Sequence, residues 1–195
     1  KPLEVNGVEL ALQTQRILDH PGLPESFIWE RQPDPEYDQT YDEDFKILGE
    51  TLGFDSTRPE KMGDGTLDNL WVDEANGVAI GFELKVNKRT RWLNKEEVGQ
   101  CLDHLNWMAE RHPNHERFLY VVGDIDSYTK NCTPTGILHL PREAVKTLTA
   151  ATRSLYAQRG LHPTEVQKKL QEGSMELSNL FPKNNVTDLN QIDNP

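Results

Sequence analysis

The sequence predicts an α/β domain with a mixed central sheet flanked by helices, and three observations predict it. Residues 78–86 alternate apolar Ile80, Phe82, Leu84 and Val86 with Gly81, Glu83 and Lys85, which is the period of a strand. Asn76-Gly77 just before it marks a hairpin turn from a preceding strand at Thr66–Val72. A helical stretch then separates this hairpin from a third strand-like run at Arg117–Val122, long enough to cross over and return the chain to the sheet.

The elements follow in order. A short helix is expected around Glu9–Asp19, stopped by His20-Pro21-Gly22. Residues 30–44, rich in Asp, Glu and Pro, read as a loop or linker. A helix over Asp42–Leu52 puts Phe45, Leu48 and Leu52 on one face, with Gly53 as its stop. Phe54–Pro59 reads as a short strand and Met62-Gly63-Asp64-Gly65 as a turn. After the hairpin, a helix over Asn94–Arg111 has Asn94 as its cap. Its apolar stripe is Val98, Cys101, Leu102, Leu105, Met108 and Ala109, and opposite lie Glu97, Gln100, His104, Trp107 and Arg111. Beyond Arg117–Val122, a strand is expected at Gly136–Leu140, helices at Arg142–Gln158 and Pro163–Glu172, and a polar tail at Lys183–Pro195. The organisation expected is an N-terminal extension and acidic linker (1–41), a core (42–160), and a C-terminal helix with a polar tail (161–195), all in one compact domain. No internal repeat is evident.

The 195 residues, with 35% hydrophobic content and a mean hydropathy of −0.71, describe a polar chain long enough to bury a core. No apolar run is long enough to cross a bilayer, and the start has no signal-peptide pattern. The first residue is Lys1 rather than Met, so the expectation is a processed chain or a piece of a larger protein. Cys101 and Cys132 make neither a disulfide framework nor a zinc pattern, which fits a reducing cytoplasm. The net charge of −11 argues at first against a polyanionic partner, but residues 1–44 carry −8 of it, from 3 basic and 11 acidic residues. Lys85 to Lys95 holds five basic residues (Lys85, Lys88, Arg89, Arg91, Lys95) and no acid. That stripe suits phosphate contact, with solubilisation as the ordinary alternative. Trp92 within it either stacks on a base or packs on the core.

Chemistry concentrates on the second hairpin strand. Glu83 and Lys85, two apart, project from one side. Asp68, on the preceding strand, lies within reach of Glu83 across the turn. Adjacent carboxylates repel unless a cation sits between them, and oxygen ligands with room for water suit Mg²⁺ or Mn²⁺. Lys85 then orients an attacking water or stabilises charge developing on phosphorus. The alternative for these three residues is a solvated hairpin face with a cross-strand charge pattern. Gln100 reads either as part of the site or as a plain exposed residue. His104, His112 and His115 read as surface histidines, because no Cys set accompanies them, and Cys101 reads as core.

The ordered set Leu67-Asp68, Glu83-Leu84-Lys85 and Gln100 with His104 four residues later resembles the PD-(D/E)XK nuclease superfamily, the restriction-endonuclease-like fold. The match runs over residues 42–122, in the family's αβββαβ core order. Gln100 and His104 are similar to the Gln-x-x-x-Tyr helix motif of the RecB-like branch, with His for Tyr, and Leu67 stands for the family's Pro. The resemblance implies a nuclease, endo- or exonuclease, acting on phosphodiester bonds, with DNA favoured over RNA. It implies Mg²⁺ (or Mn²⁺) held by Asp68, Glu83 and the Leu84 backbone carbonyl, and Glu50, or alternatively Glu43, as the first-helix acid that some members use. Lys85 would assist the attacking water and Gln100 would orient Lys85 or the substrate, while Lys88, Arg89, Arg91, Trp92 and Lys95 would contact nucleic acid. A second expectation is a non-cleaving nucleic-acid-binding or assembly module of a larger DNA-processing or defence system. A homodimer or a larger multi-domain assembly stays open.

Overall fold

Helix α1 (Asp38–Thr51) leads into strand β1 (Asp55–Thr57), a one-turn helix α2 (Pro59–Met62) and the hairpin strands β2 (Asn69–Asp73) and β3 (Val78–Leu84). A two-residue strand β4 (Trp92–Leu93) precedes helix α3 (Lys95–Arg111), followed by β5 (Glu116–Val122), β6 (Ser127–Thr129), β7 (Ile137–Leu140) and helix α4 (Arg142–Arg159). The chain closes with β8 (Asn184–Asn185), a 3₁₀ turn over Val186–Asp188 and β9 (Asn190–Ile192). This is a computed structural model, and it describes residues 15–25, 27, 38–159 and 181–193. The helix expected at Pro163–Glu172, and residues 9–14 of the first expected helix, lie outside them; residues 15–19 are helical.

The architecture is α/β with a mixed sheet flanked by helices. The main sheet runs β1-β2-β3-β5-β7-β8. β1, β2 and β3 pair antiparallel, β3 with β5 and β5 with β7 pair parallel, and β8 returns antiparallel. A smaller sheet, β4-β6-β9, is parallel throughout. The two faces of the main sheet explain the two cores. On one face, Phe45, Leu48 and Leu52 of α1 and Val145 and Leu148 of α4 pack on Ile80, Phe82, Tyr120 and Val122. On the other, Val98, Cys101 and Met108 of α3 pack on Ala79, Leu119 and Val121. Parallel pairing requires a crossover, and the crossover helix has to cover a face, so β3 is buried on both sides.

Several boundaries differ from expectation. α1 begins at Asp38, inside the stretch read as linker, and Tyr41 is fully buried. Gly53 does stop it, with a φ of 85°. The turn near 62–65 follows α2, which begins at Pro59, the last residue of the stretch read as strand and a position where a missing N–H costs nothing. β2 begins at Asn69 rather than Thr66, and β3 ends at Leu84 rather than Val86. The hairpin turn falls where Asn76-Gly77 marks it, with residues 74–77 joining Asp73 to Val78 directly opposite. Its Asn76 amide donates to the Asp73 carboxylate. The expected tail is not a tail over residues 184–192: β8 extends the main sheet and β9 the small one. Phe181 and Val186 anchor it, each at most 2% exposed. No described helix is long and apolar enough to cross a membrane.

Candidate active site

The hairpin register sets the first two residues of the site. Asn69 lies opposite Phe82, and one more step along the same register brings Asp68 beside Glu83, just beyond the end of β2. Residues directly opposite on antiparallel strands share a face. The Asp68 carboxylate turns onto the backbone of β3, where Oδ2 accepts from the Leu84 N–H at 2.7 Å. Its Oδ1 receives no hydrogen bond from the protein among the described residues. Lys85, the first residue past β3, folds back along that strand and puts Nζ 2.7 Å from Glu83 Oε1. Asp68, Glu83 and Lys85 are thus brought together.

They are not on a solvated face. Glu83 is 2% exposed, covered by α3. Gly81, two residues earlier on the same face, is why the helix can come so close: a Cβ there would meet Met108 Sδ at 2.6 Å. The buried stripe of α3 is Val98, Cys101, His104 and Met108, so His104 belongs to the covered side rather than to a solvent-facing polar one. Nor is it the surface histidine expected. It is also 2% exposed, its Nε2 lies 3.0 Å from Glu83 Oε2, and its Nδ1 lies 3.3 Å from Thr66 Oγ1. Further along α3, the Trp107 indole donates to the Asp64 carbonyl, and Arg111 forms an ion pair with the Asp64 carboxylate. Three side chains of one helix thereby hold the loop that leads into Asp68.

Electrostatics separate the two carboxylates. Burial, then the charge of Glu83, push the Asp68 carboxyl up to about 8, against the Leu84 N–H and Lys85, which pull it down. Burial also raises Glu83, but the His104 hydrogen bond and the Lys85 ammonium outweigh it, and Glu83 is held below the usual carboxylate range. Burial lowers the Lys85 ammonium and its contact with Glu83 raises it further, so it stays charged. Below about pH 8 and without a cation, the carboxylate pair therefore favours one bound proton, on Asp68 rather than Glu83.

The remaining candidates divide. Gln100 is half-buried and its side chain makes no hydrogen bond among the described residues, so it is not joined to Lys85. Glu50 is paired with Lys46 on α1 and stands two helical turns from the end that faces the site. The α1 acid that Asp68 feels is Asp42, whose carbonyl accepts from the buried Asn69 amide at 3.1 Å. Eight residues of helix separate Asp42 from Glu50, about 12 Å along the axis. Arg58, 8% exposed, holds both Asp42 and Glu43, at 2.9 and 3.1 Å. The basic stripe is partly paired: Lys85 with Glu83, Lys88 with Glu97 on α3, and Arg91 with Asp126. Arg89 and Lys95 are exposed and form no ion pair among the described residues. Trp92 is half-buried, with the Lys88 ammonium 5.5 Å over its ring. His115 pairs with Glu74, and its ring lies against His112.

His104 is the residue that sequence reasoning undervalued. The signal was present: it falls between Cys101 and Met108 at helical spacing, on the covered stripe. The donors at the site are hard oxygens, as Mg²⁺ or Mn²⁺ requires. Asp68 has an unclaimed oxygen and is disfavoured as an anion beside Glu83, which is the condition a divalent cation relieves, so the residues fit such an ion. Both Glu83 oxygens are nevertheless engaged, and among the described residues no three His, Cys, Asp or Glu side chains converge as a ready metal cluster. Comparison of the chain with protein-family models, with curated proteins and with solved structures finds no match in any of the three.

Proposed function

We propose that the chain is a metal-dependent nuclease of the PD-(D/E)XK kind, with the restriction-endonuclease-like fold, hydrolysing phosphodiester bonds of nucleic acid, DNA rather than RNA. The observation that carries the reading is the convergence of Asp68, Glu83 and Lys85 at the end of the hairpin, with Glu83 buried, the other two half-buried and all three mutually perturbed. The element order α1-β1-β2-β3-α3-β5, with α2 and the two-residue β4 inserted, supports the same family. Asp68, Glu83 and the Leu84 carbonyl would hold Mg²⁺ or Mn²⁺. Bound there, a divalent cation supplies the charge that polarises a phosphodiester oxygen and activates a water. Lys85 stays protonated, orients that water and stabilises negative charge developing on phosphorus. Arg89 and Lys95 remain available for the nucleic-acid backbone.

A second reading has its own observation. Both Glu83 oxygens are occupied and no three-ligand cluster is preformed among the described residues, which favours a non-cleaving nucleic-acid-binding or assembly module. The deciding experiment incubates the full chain with linear, circular and single-stranded DNA and with RNA, in Mg²⁺, Mn²⁺ or EDTA. Lys85→Ala and Asp68→Ala are run alongside. Metal-dependent cutting lost in both variants is the expected result. Cutting that survives both rejects the site, and binding without cutting selects the module.

A further inference from the structure

The hydrogen bond between His104 and Glu83 does more than fill a core position. A carboxylate presents two oxygens, and here they face different partners: Oε2 faces His104 Nε2 at 3.0 Å and Oε1 faces Lys85 Nζ at 2.7 Å. The two partners differ in freedom. Lys85 hangs on a flexible stem, 19% exposed, whereas the His104 side chain, 2% exposed, sits on a helix whose cap is closed at both ends of its capping box. The ring is fixed from behind as well, by Thr66 Oγ1 at 3.3 Å from Nδ1. Because the Glu83 carboxylate accepts, Nε2 donates, and in the neutral ring Nδ1 accepts from the Thr66 hydroxyl.

We infer that His104 is a positioning residue: with Thr66 behind it, it pins Oε2 of Glu83 so that Oε1 alone is left to exchange Lys85 for a cation. The inference rests on the nuclease reading and deepens it. Partners of this kind orient the groups that hold a metal, and removing one typically weakens metal binding about 10–100-fold. Thr66 stands in the loop that Trp107 and Arg111 hold against α3, so the whole chain from Asp64 to Glu83 is set by one helix.

The test separates the two ring nitrogens. Glutamine places its amide nitrogen near the position of Nε2 and can donate to Glu83, whereas asparagine reaches only toward Thr66. Mn²⁺ alone is titrated into the full chain by calorimetry for wild type, His104→Gln, His104→Asn and Thr66→Val, with thermal unfolding of each recorded. His104→Gln is expected to bind within a few fold of wild type. His104→Asn is expected to lose about 10–100-fold in affinity while still folding, and Thr66→Val to fall between them. Wild type that binds Mn²⁺ while His104→Asn binds equally well overturns the inference alone. So does a His104→Gln variant as weak as His104→Asn. Wild type that neither binds Mn²⁺ nor cuts nucleic acid overturns the nuclease reading and the inference together.

Discussion

The proton on Asp68 gives the most quantitative test of the site. Its carboxyl is pushed from 3.8 to about 8, by burial first and by Glu83 second. A divalent cation needs the ionised form, so binding below pH 8 has to displace that proton. With a pKa of about 8, roughly 1% of Asp68 is ionised at pH 6 and half at pH 8, so apparent affinity rises about 50-fold between them, close to 2.3 kcal/mol. Above pH 9 it levels off. Glu83, held below the usual range, stays ionised throughout and adds no slope. The sign for stability is opposite. Because the folded pKa of Asp68 lies above its unfolded value, its contribution is fully present below pH 3.8 and is lost as pH rises toward 8. The metal-free protein should thus lose thermal stability across that window, and Mg²⁺ should restore it most at the alkaline end. Calorimetric titration with Mn²⁺ at pH 6, 7, 8 and 9, in buffers of different ionisation heat, measures both affinity and proton release. Roughly one proton per ion is expected at pH 6 and about a tenth of one at pH 9. Affinity independent of pH from 6 to 9, or unchanged in Asp68→Asn, refutes the reasoning.

Other consequences are structural. Gly49 on α1 faces Trp71, and a Cβ there would lie 2.6 Å from the indole Cε2 and Nε1 and 2.7 Å from Ser56 Oγ. Trp71 is fully buried among Phe45, Phe54, Phe82 and Phe181 and cannot step aside, so Gly49→Ala should destabilise by about 1–3 kcal/mol in chemical denaturation despite the better helix former. Asn94→Ala removes the acceptor for the Glu97 N–H and half of the capping box, and should cost about 1 kcal/mol, read as a lowered Tm. Phe181→Ala should cost about 3–5 kcal/mol, because that ring lies against Trp71, Phe82 and Tyr120; a loss under 1 kcal/mol would mean the C-terminal segment does not seal this core. Cys101, with its thiol pushed by burial up to about 12, should resist alkylation long after Cys132 has reacted, as peptide mapping would reveal.

The sheet was legible where its signal is local. The alternation through Ile80, Phe82 and Leu84 is a period that only a strand explains, and Asn94 with Glu97 marks a helix start by chemistry alone. What escaped was set by distant partners. β4, β6, β8 and β9 are two or three residues long and exist because Trp92 meets Ser127, Ser127 meets Asn190 and Leu138 meets Asn185. No window of sequence contains those pairings. Part of the basic run misled for the same reason: the partner of Arg91, Asp126, lies in the loop before β6, although Glu97, the partner of Lys88, stands only nine residues on in α3. Asp42 lay in the stretch read as linker, so its place on α1, where its charge reaches Asp68, was not legible, whereas Glu50 pairs with Lys46.

Burial is what gives the Glu83-Leu84-Lys85 triplet its interest. A glutamate two residues from a lysine on a wet strand face is worth little and perturbs nothing. Here α3 closes over the pair, and the cost of burying charge forces a near-neutral account. Counting Asp68, Glu83 and Lys85 alone, the protonated Asp68 leaves one negative and one positive group, which balance. On the proposed reading, a divalent cation that displaces the proton brings the three groups and the ion together to one excess positive charge. A phosphodiester carries one negative charge, and its arrival restores neutrality inside the covered site. Cation and substrate are then favoured together more than either is alone, because each removes the uncompensated charge that the other would leave in a poorly solvated place.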